Sequence, residues 1–117
     1  MYNQKAALFN QAVEARTSGQ LDQAGDLRHA AECLGVVIRE HQEKNPDADL
    51  IHLAQQASDY YLRAVAEQNK HAVDKAEQSR KEGSSRKERA IRLCEIEHGA
   101  MAFACGPYTG SATKSLL

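Results

Sequence analysis

Residues 21–38, LDQAGDLRHAAECLGVVI, decide the fold class of this chain. In them Leu21, Ala24, Leu27, Ala31, Leu34 and Ile38 recur every three or four residues. At about 3.6 residues per turn, that spacing gathers them into one apolar stripe along a helix. The stripe predicts a helix over 21–43 that buries one face against neighbours.

Working outward, Ala7, Leu8, Ala12 and Ala15 keep the same spacing and predict a first helix over 4–17. Thr17-Ser18-Gly19 ends it, since Gly19 can adopt the left-handed conformation that closes a helix. Downstream, Asn45 can cap a third helix, Pro46 suits its first position, and Asp47 and Asp49 complement its positive end. Leu50, Leu53, Ala57, Tyr61, Ala64 and Val65 anchor this helix, predicted over 46–80. Gly83-Ser84-Ser85 predicts a break, and Ser85 with Glu88 forms a capping-box pattern opening a fourth helix over 86–104. Residues 105–117, rich in Gly, Ser and Thr, read as a flexible tail. The expectation is an all-α protein. One helical domain over 1–104 forms a small antiparallel bundle of three helices plus a fourth.

Composition agrees. Of 117 residues, 42% are hydrophobic and 26% charged, the balance of an ordinary folded domain. Aromatic residues make up 5% and Trp is absent, so aliphatic side chains must build the core and an aromatic-rich β-sandwich is excluded. Only 2 Pro and 7 Gly argue against a disordered polymer. A chain of this length buries roughly two thirds of its unfolded surface, enough for a core without disulfides or metal. Cys33, Cys94 and Cys105 are odd in number and far apart, which favours a reducing compartment. With no signal-like run in residues 1–10 and no apolar stretch near the ~20 residues a membrane helix needs, the expected location is cytoplasmic.

The formal net charge of -1 conceals an uneven distribution. Lys70, Lys75, Arg80, Lys81, Arg86, Lys87, Arg89 and Arg92 face only Asp74, Glu77, Glu82 and Glu88 in their segment, a local balance of +4. Residues 1–69 balance at -4 and residues 93–117 at -1. The basic segment is a candidate for phosphate contacts. It contains no aromatic residue to stack on bases, however, and its acids are spaced to pair with its own bases on an exposed helix.

The stretch Ser18-Gly19-Gln20-Leu21-Asp22-Gln23-Ala24, followed by Leu27 and Ala31, resembles the second half of a tetratricopeptide-repeat hairpin. The third helix, with Tyr60-Tyr61-Leu62-Arg63-Ala64, looks like the last helix of a microtubule-interacting-and-trafficking (MIT) domain. The similarity covers about residues 5–68. It implies a small antiparallel bundle whose groove receives a partner's amphipathic helix or peptide.

Chemistry-bearing patterns are few. His29 with Cys33, and Cys94 with His98, are i,i+4 pairs that would supply a tetrahedral zinc set if their helices were adjacent. The simpler reading makes Cys33 and Cys94 small buried hydrophobes. Glu95 with His98, and Asp26 with His29, match the i,i+3 ligand spacing of a di-iron bundle, for which Glu14 and Asp59 would be the further carboxylates. No nucleophile elbow or phosphate-binding glycine loop is present, so no enzyme and no cofactor are expected. His41, His52 and His71 fall at polar positions and are expected to be exposed.

The residues therefore point to a non-catalytic, adaptor- or chaperone-like module that presents a helical groove to a protein partner. Leu27, Leu34, Ile38, Leu53, Tyr60 and Tyr61 are the expected lining. Ile91, Leu93, Ile96, Met101 and Phe103 form a broad apolar face expected to support a homo-oligomer.

Overall fold

A computed structural model describes residues 2–98 as four helices: α1 (Tyr2–Thr17), α2 (Leu21–His41), α3 (Ala48–Asn69) and α4 (Val73–His98). The described chain is all-helical and bundled, as the apolar spacing requires. Short connections return each helix against the one before it, so α1 packs on α2, α2 on α3 and α3 on α4.

The core has two parts joined through α2. In one, Leu8, Ala12 and Ala15 of α1 meet Ala24, Leu27, Ala30, Ala31 and Leu34 of α2 and Tyr61 of α3. In the other, Cys33, Val36 and Val37 of α2 meet Leu50, Ala54 and Ala57 of α3 and Ala90 and Cys94 of α4. From Ala30 to Glu40 almost every residue of α2 is buried, so this helix is the axis of the bundle. Alanines at the contacts let backbones approach closely. Ser58 Oγ uses that proximity to donate to the Ala30 carbonyl at 3.1 Å, satisfying a fully buried hydroxyl.

Helix ends follow local chemistry. Gly19, at φ 82°, closes α1, with Gln20 N–H donating to the Ala15 carbonyl and Gly19 N–H to that of Arg16. The cap of α3 is Asp47 rather than Asn45. Its carboxylate accepts from the Asp49 and Leu50 amides, leaving Asn45 and Pro46 in the connection. Asp47 N–H donates in turn to Glu40 Oε1 at 2.9 Å, tying the start of α3 to the end of α2.

The expected boundary between the last two helices is displaced. The chain reverses at Lys70–Ala72 and runs as one helix through Gly83-Ser84-Ser85. His71 takes the left-handed conformation at φ 61°, and the Ala72 and His71 amides donate to the Glu67 and Gln68 carbonyls. This is the same closure that Gly19 makes, built on a residue type that seldom signals it. Gly83 is a close-approach residue instead of a breaker. A Cβ there would lie 3.1 Å from Tyr61 Cδ2 and 3.2 Å from Tyr60 Cβ. The expected capping box at Ser85 is absent because Ser85 lies inside α4. Residues 99–104 of the expected fourth helix, and the expected tail over 105–117, lie outside the described residues. No described helix is long and apolar enough to cross a membrane.

Candidate functional site

Of the six expected partner-binding residues, Leu27, Leu34, Ile38 and Tyr61 are at most 5% exposed. They belong to the chain's own core and do not line an open groove. From Ala24 onward the apolar stripe of α2 is covered from within, by α1 at one end and by α3 and α4 at the other, while Leu21 at its start stays 67% exposed. Leu53 and Tyr60 are different: both are half-buried and lie on the edge of α3 that borders α4.

That edge forms a seam with a distinct character. Asp49, His52 and Leu53 of α3 and Arg89, Arg92 and Leu93 of α4 line a cleft of about 510 Å³. Leu53 and Leu93 also pack against the second core cluster, so they give the cleft an apolar floor. Further along, the Tyr60 ring carries two guanidinium groups, with Arg63 Cζ 4.8 Å and Arg86 Cζ 4.6 Å from its centroid. Glu82 holds Arg86 at 2.6 Å. Arg92 reaches Glu88 only at 3.7 Å, with both side chains about 70% exposed, a pairing of little energetic consequence. Arg63 and Arg89 are exposed and make no ion pair among the described residues. The basic segment thus acquires from α3 the aromatic ring that its own sequence lacks.

The opposite side of α4 is consumed by structure. Arg80 grips Asp26 with two parallel hydrogen bonds of 2.8 Å, and the Asp26 side chain is only 3% exposed. The hydrogen bonds that Arg80 donates to Asp26 raise its pKa, outweighing partial burial. Two turns on, Lys87 Nζ lies 2.7 Å from both Glu32 Oε1 and His29 Nδ1. The same His29 Nδ1 lies 3.4 Å from Glu32 Oε1, so the ring faces both the ammonium and the carboxylate, accepting from one or donating to the other according to its tautomer. Burial pushes the Glu32 carboxyl up, but the contacts with His29 and Lys87 and the Lys87 charge outweigh it and hold it at about 2. The His29 ring stacks on Tyr61 at 4.8 Å. Burial raises the Tyr61 phenol despite a hydrogen bond involving Ser84. Each charge here has an opposite neighbour, so the ladder clamps α4 to α2.

The metal-site pairs are dispersed in function. Cys33 and Cys94 are fully buried in the second core cluster, and burial pushes the Cys33 thiol up to about 12, against thiolate ligation. The Arg39 guanidinium donates to Cys94 Sγ at 2.9 Å. His29 faces Lys87, and the His98 side chain lies outside the described residues. Asp26 is bound by Arg80, while Glu14, Asp59 and Glu95 are exposed. Among the described residues no three His, Cys, Asp or Glu side chains gather where they could hold a metal ion. Of the expected self-association face, Ile91 and Leu93 pack partly on the core and Ile96 is 80% exposed. Met101 and Phe103 lie outside the described residues.

Fold and seam together define an all-helical bundle whose α3/α4 face carries an arginine-rimmed cleft and, further along, the arginine-flanked Tyr60 ring. Comparisons with known protein families, with characterised proteins and with solved structures find no match. Arg63 and His52 were not legible as site residues. The one usable signal is the i,i+3 spacing of Tyr60 and Arg63, which places them side by side on a helix.

Proposed function

We propose that this chain is a non-catalytic protein-binding module whose α3/α4 seam receives an amphipathic helix or peptide with acidic side chains. The observation that carries the reading is the apolar floor of Leu53 and Leu93 bordered by Arg89, Arg92 and His52 against one carboxylate, Asp49, and continued by Tyr60 with Arg63 and Arg86. Guanidinium groups match carboxylates in geometry as well as charge. Tyr and Arg around a small apolar centre are the residue types that dominate binding energy at protein interfaces.

The test is site-directed photo-crosslinking in native lysate, with the reactive side chain at position 56, between Leu53 and Tyr60 on α3, and at position 81 as a control on exposed α4 surface. The reading requires one discrete adduct from position 56 that Leu53→Glu and Arg89→Glu abolish while the helical circular-dichroism spectrum is unchanged. Equal labelling from both positions, or adducts insensitive to both substitutions, would refute it. A nucleic-acid partner is the second reading, favoured by the arginine-flanked Tyr60 ring. It requires affinity for a labelled single strand that falls steeply with salt and weakens with Arg86→Glu.

A further inference from the structure

Away from the seam, α1 and α2 enclose a second cleft of about 330 Å³, lined by Phe9, Ala12, Val13 and Arg16 of α1 and Leu21, Ala24, Gly25 and Arg28 of α2. Three independent features make it more than a gap between helices. Val13 and Leu21 border it while remaining 53% and 67% exposed, two large apolar side chains that the chain's own packing leaves in water. Gly25 sits inside α2, where glycine costs about 1 kcal/mol relative to alanine. Its φ is not positive, and a Cβ built on it meets nothing within 4 Å. Neither backbone conformation nor internal packing therefore calls for glycine at this position, in contrast to Gly83, whose missing side chain makes room for Tyr61. Arg16 and Arg28 are exposed in the cleft's lining and make no ion pair among the described residues.

We infer that the α1/α2 cleft is a second docking site, for a partner segment that seats a bulky aliphatic side chain over Gly25 and pairs acidic side chains with Arg16 and Arg28. The occupant is a short amphipathic acidic helix or peptide. Its aliphatic side chain covers Phe9, Val13 and Leu21, the glycine keeps the floor open for it, and both charged residues of the lining are cations, which select carboxylates and reject basic segments. Because this cleft uses α1 and α2 and the seam uses α3 and α4, a chain with both sites bridges two segments. The inference stands on its own residues and does not require the seam to be a binding site.

The probe is a fluorescein-labelled peptide of alternating Glu and Leu pairs, titrated against the full chain by anisotropy. Two control peptides replace Glu by Lys or Leu by Ser. The titration is done in the Leu53→Glu/Arg89→Glu background, so that binding at the seam cannot contribute. Saturable binding of the Glu/Leu peptide is expected, with at least a tenfold loss for each control. Gly25→Leu, which fills the floor, and the surface double variant Arg16→Glu/Arg28→Glu are each expected to weaken binding at least tenfold. No binding of the Glu/Leu peptide, equal binding of the Lys peptide, or retention of affinity in the folded Arg16→Glu/Arg28→Glu variant would overturn the inference. A loss of seam crosslinking with cleft binding intact, or the reverse, separates the two sites.

Discussion

Gly25→Ala and Gly83→Ala make the same chemical change in two helices, and the structure assigns them opposite effects. In both, alanine gains about 1 kcal/mol of helix propensity over glycine. At Gly25 the new methyl group meets nothing within 4 Å, so the propensity gain stands and the variant is more stable by about 1 kcal/mol. At Gly83 the methyl group would lie 3.1 Å from Tyr61 Cδ2, 3.2 Å from Tyr61 Cε2 and 3.2 Å from Tyr60 Cβ. Tyr61 cannot swing aside, because it is 3% exposed and its other contacts include the His29 ring stacked at 4.8 Å. Tyr60 Cβ is fixed to the α3 backbone. The helices must therefore separate by a few tenths of an ångström, and overpacking of this kind costs about 1–3 kcal/mol. The net effect of Gly83→Ala is a loss of about 0–2 kcal/mol, and the two variants should differ by about 1–3 kcal/mol. At about 4–8 °C per kcal/mol for a domain near this size, thermal unfolding followed by circular dichroism resolves the difference easily. Equal stabilisation by both alanines would mean that α3 and α4 do not approach closely at Gly83, and would refute the packing argument.

Three further outcomes follow from the same geometry. Asp26→Asn should lower stability by about 2–3 kcal/mol in urea unfolding, below the 3–5 kcal/mol of a fully buried pair, because the Arg80 side chain keeps 30% exposure to water. Glu32, held at about 2 against an ordinary 4.5, stabilises the fold fully above pH 4.5 and loses that contribution as pH falls through 2. The stability gap between the wild-type chain and Glu32→Gln should therefore be constant near neutrality at about 1–2 kcal/mol, solvent screening included, and close on acidification. His71→Gly should raise the melting temperature, since it removes the left-handed strain at φ 61°, a gain of about 0.5–1 kcal/mol after the extra backbone entropy of glycine.

Helix type and core composition were legible because the apolar residues of α1, α2 and the first half of α3 keep helical spacing without interruption. The two reversals show where legibility ends. Both α1 and α3 close with the same pair of backbone hydrogen bonds, but the left-handed position is filled by Gly19 in one and His71 in the other. Glycine announces that conformation and histidine does not, so no residue pattern marks the α3/α4 boundary. The expected groove failed for a related reason. The stripe of Leu27, Leu34 and Ile38 marks a face that will be buried, and periodicity is silent on whether the chain itself or a partner buries it.

The misplaced boundary and the overlooked seam have one cause. With α4 broken at Gly83-Ser84-Ser85, the basic residues on either side would have no fixed angular relation. As one continuous helix, α4 puts Arg80 and Lys87 two turns apart on the flank facing α2, where Asp26 and Glu32 meet them. It also puts Arg86, Arg89 and Leu93 at spacings of three and four on the flank beside α3, where Tyr60 and Leu53 meet them. The local balance of +4 is therefore divided by helical phase. One part neutralises the acids of α2 and holds the bundle together, and the other remains on the surface as guanidinium groups around an apolar floor. The segregation of acidic and basic residues along the sequence is thus first a folding device, and only the cations on the α3 flank are left for the binding role proposed for the seam.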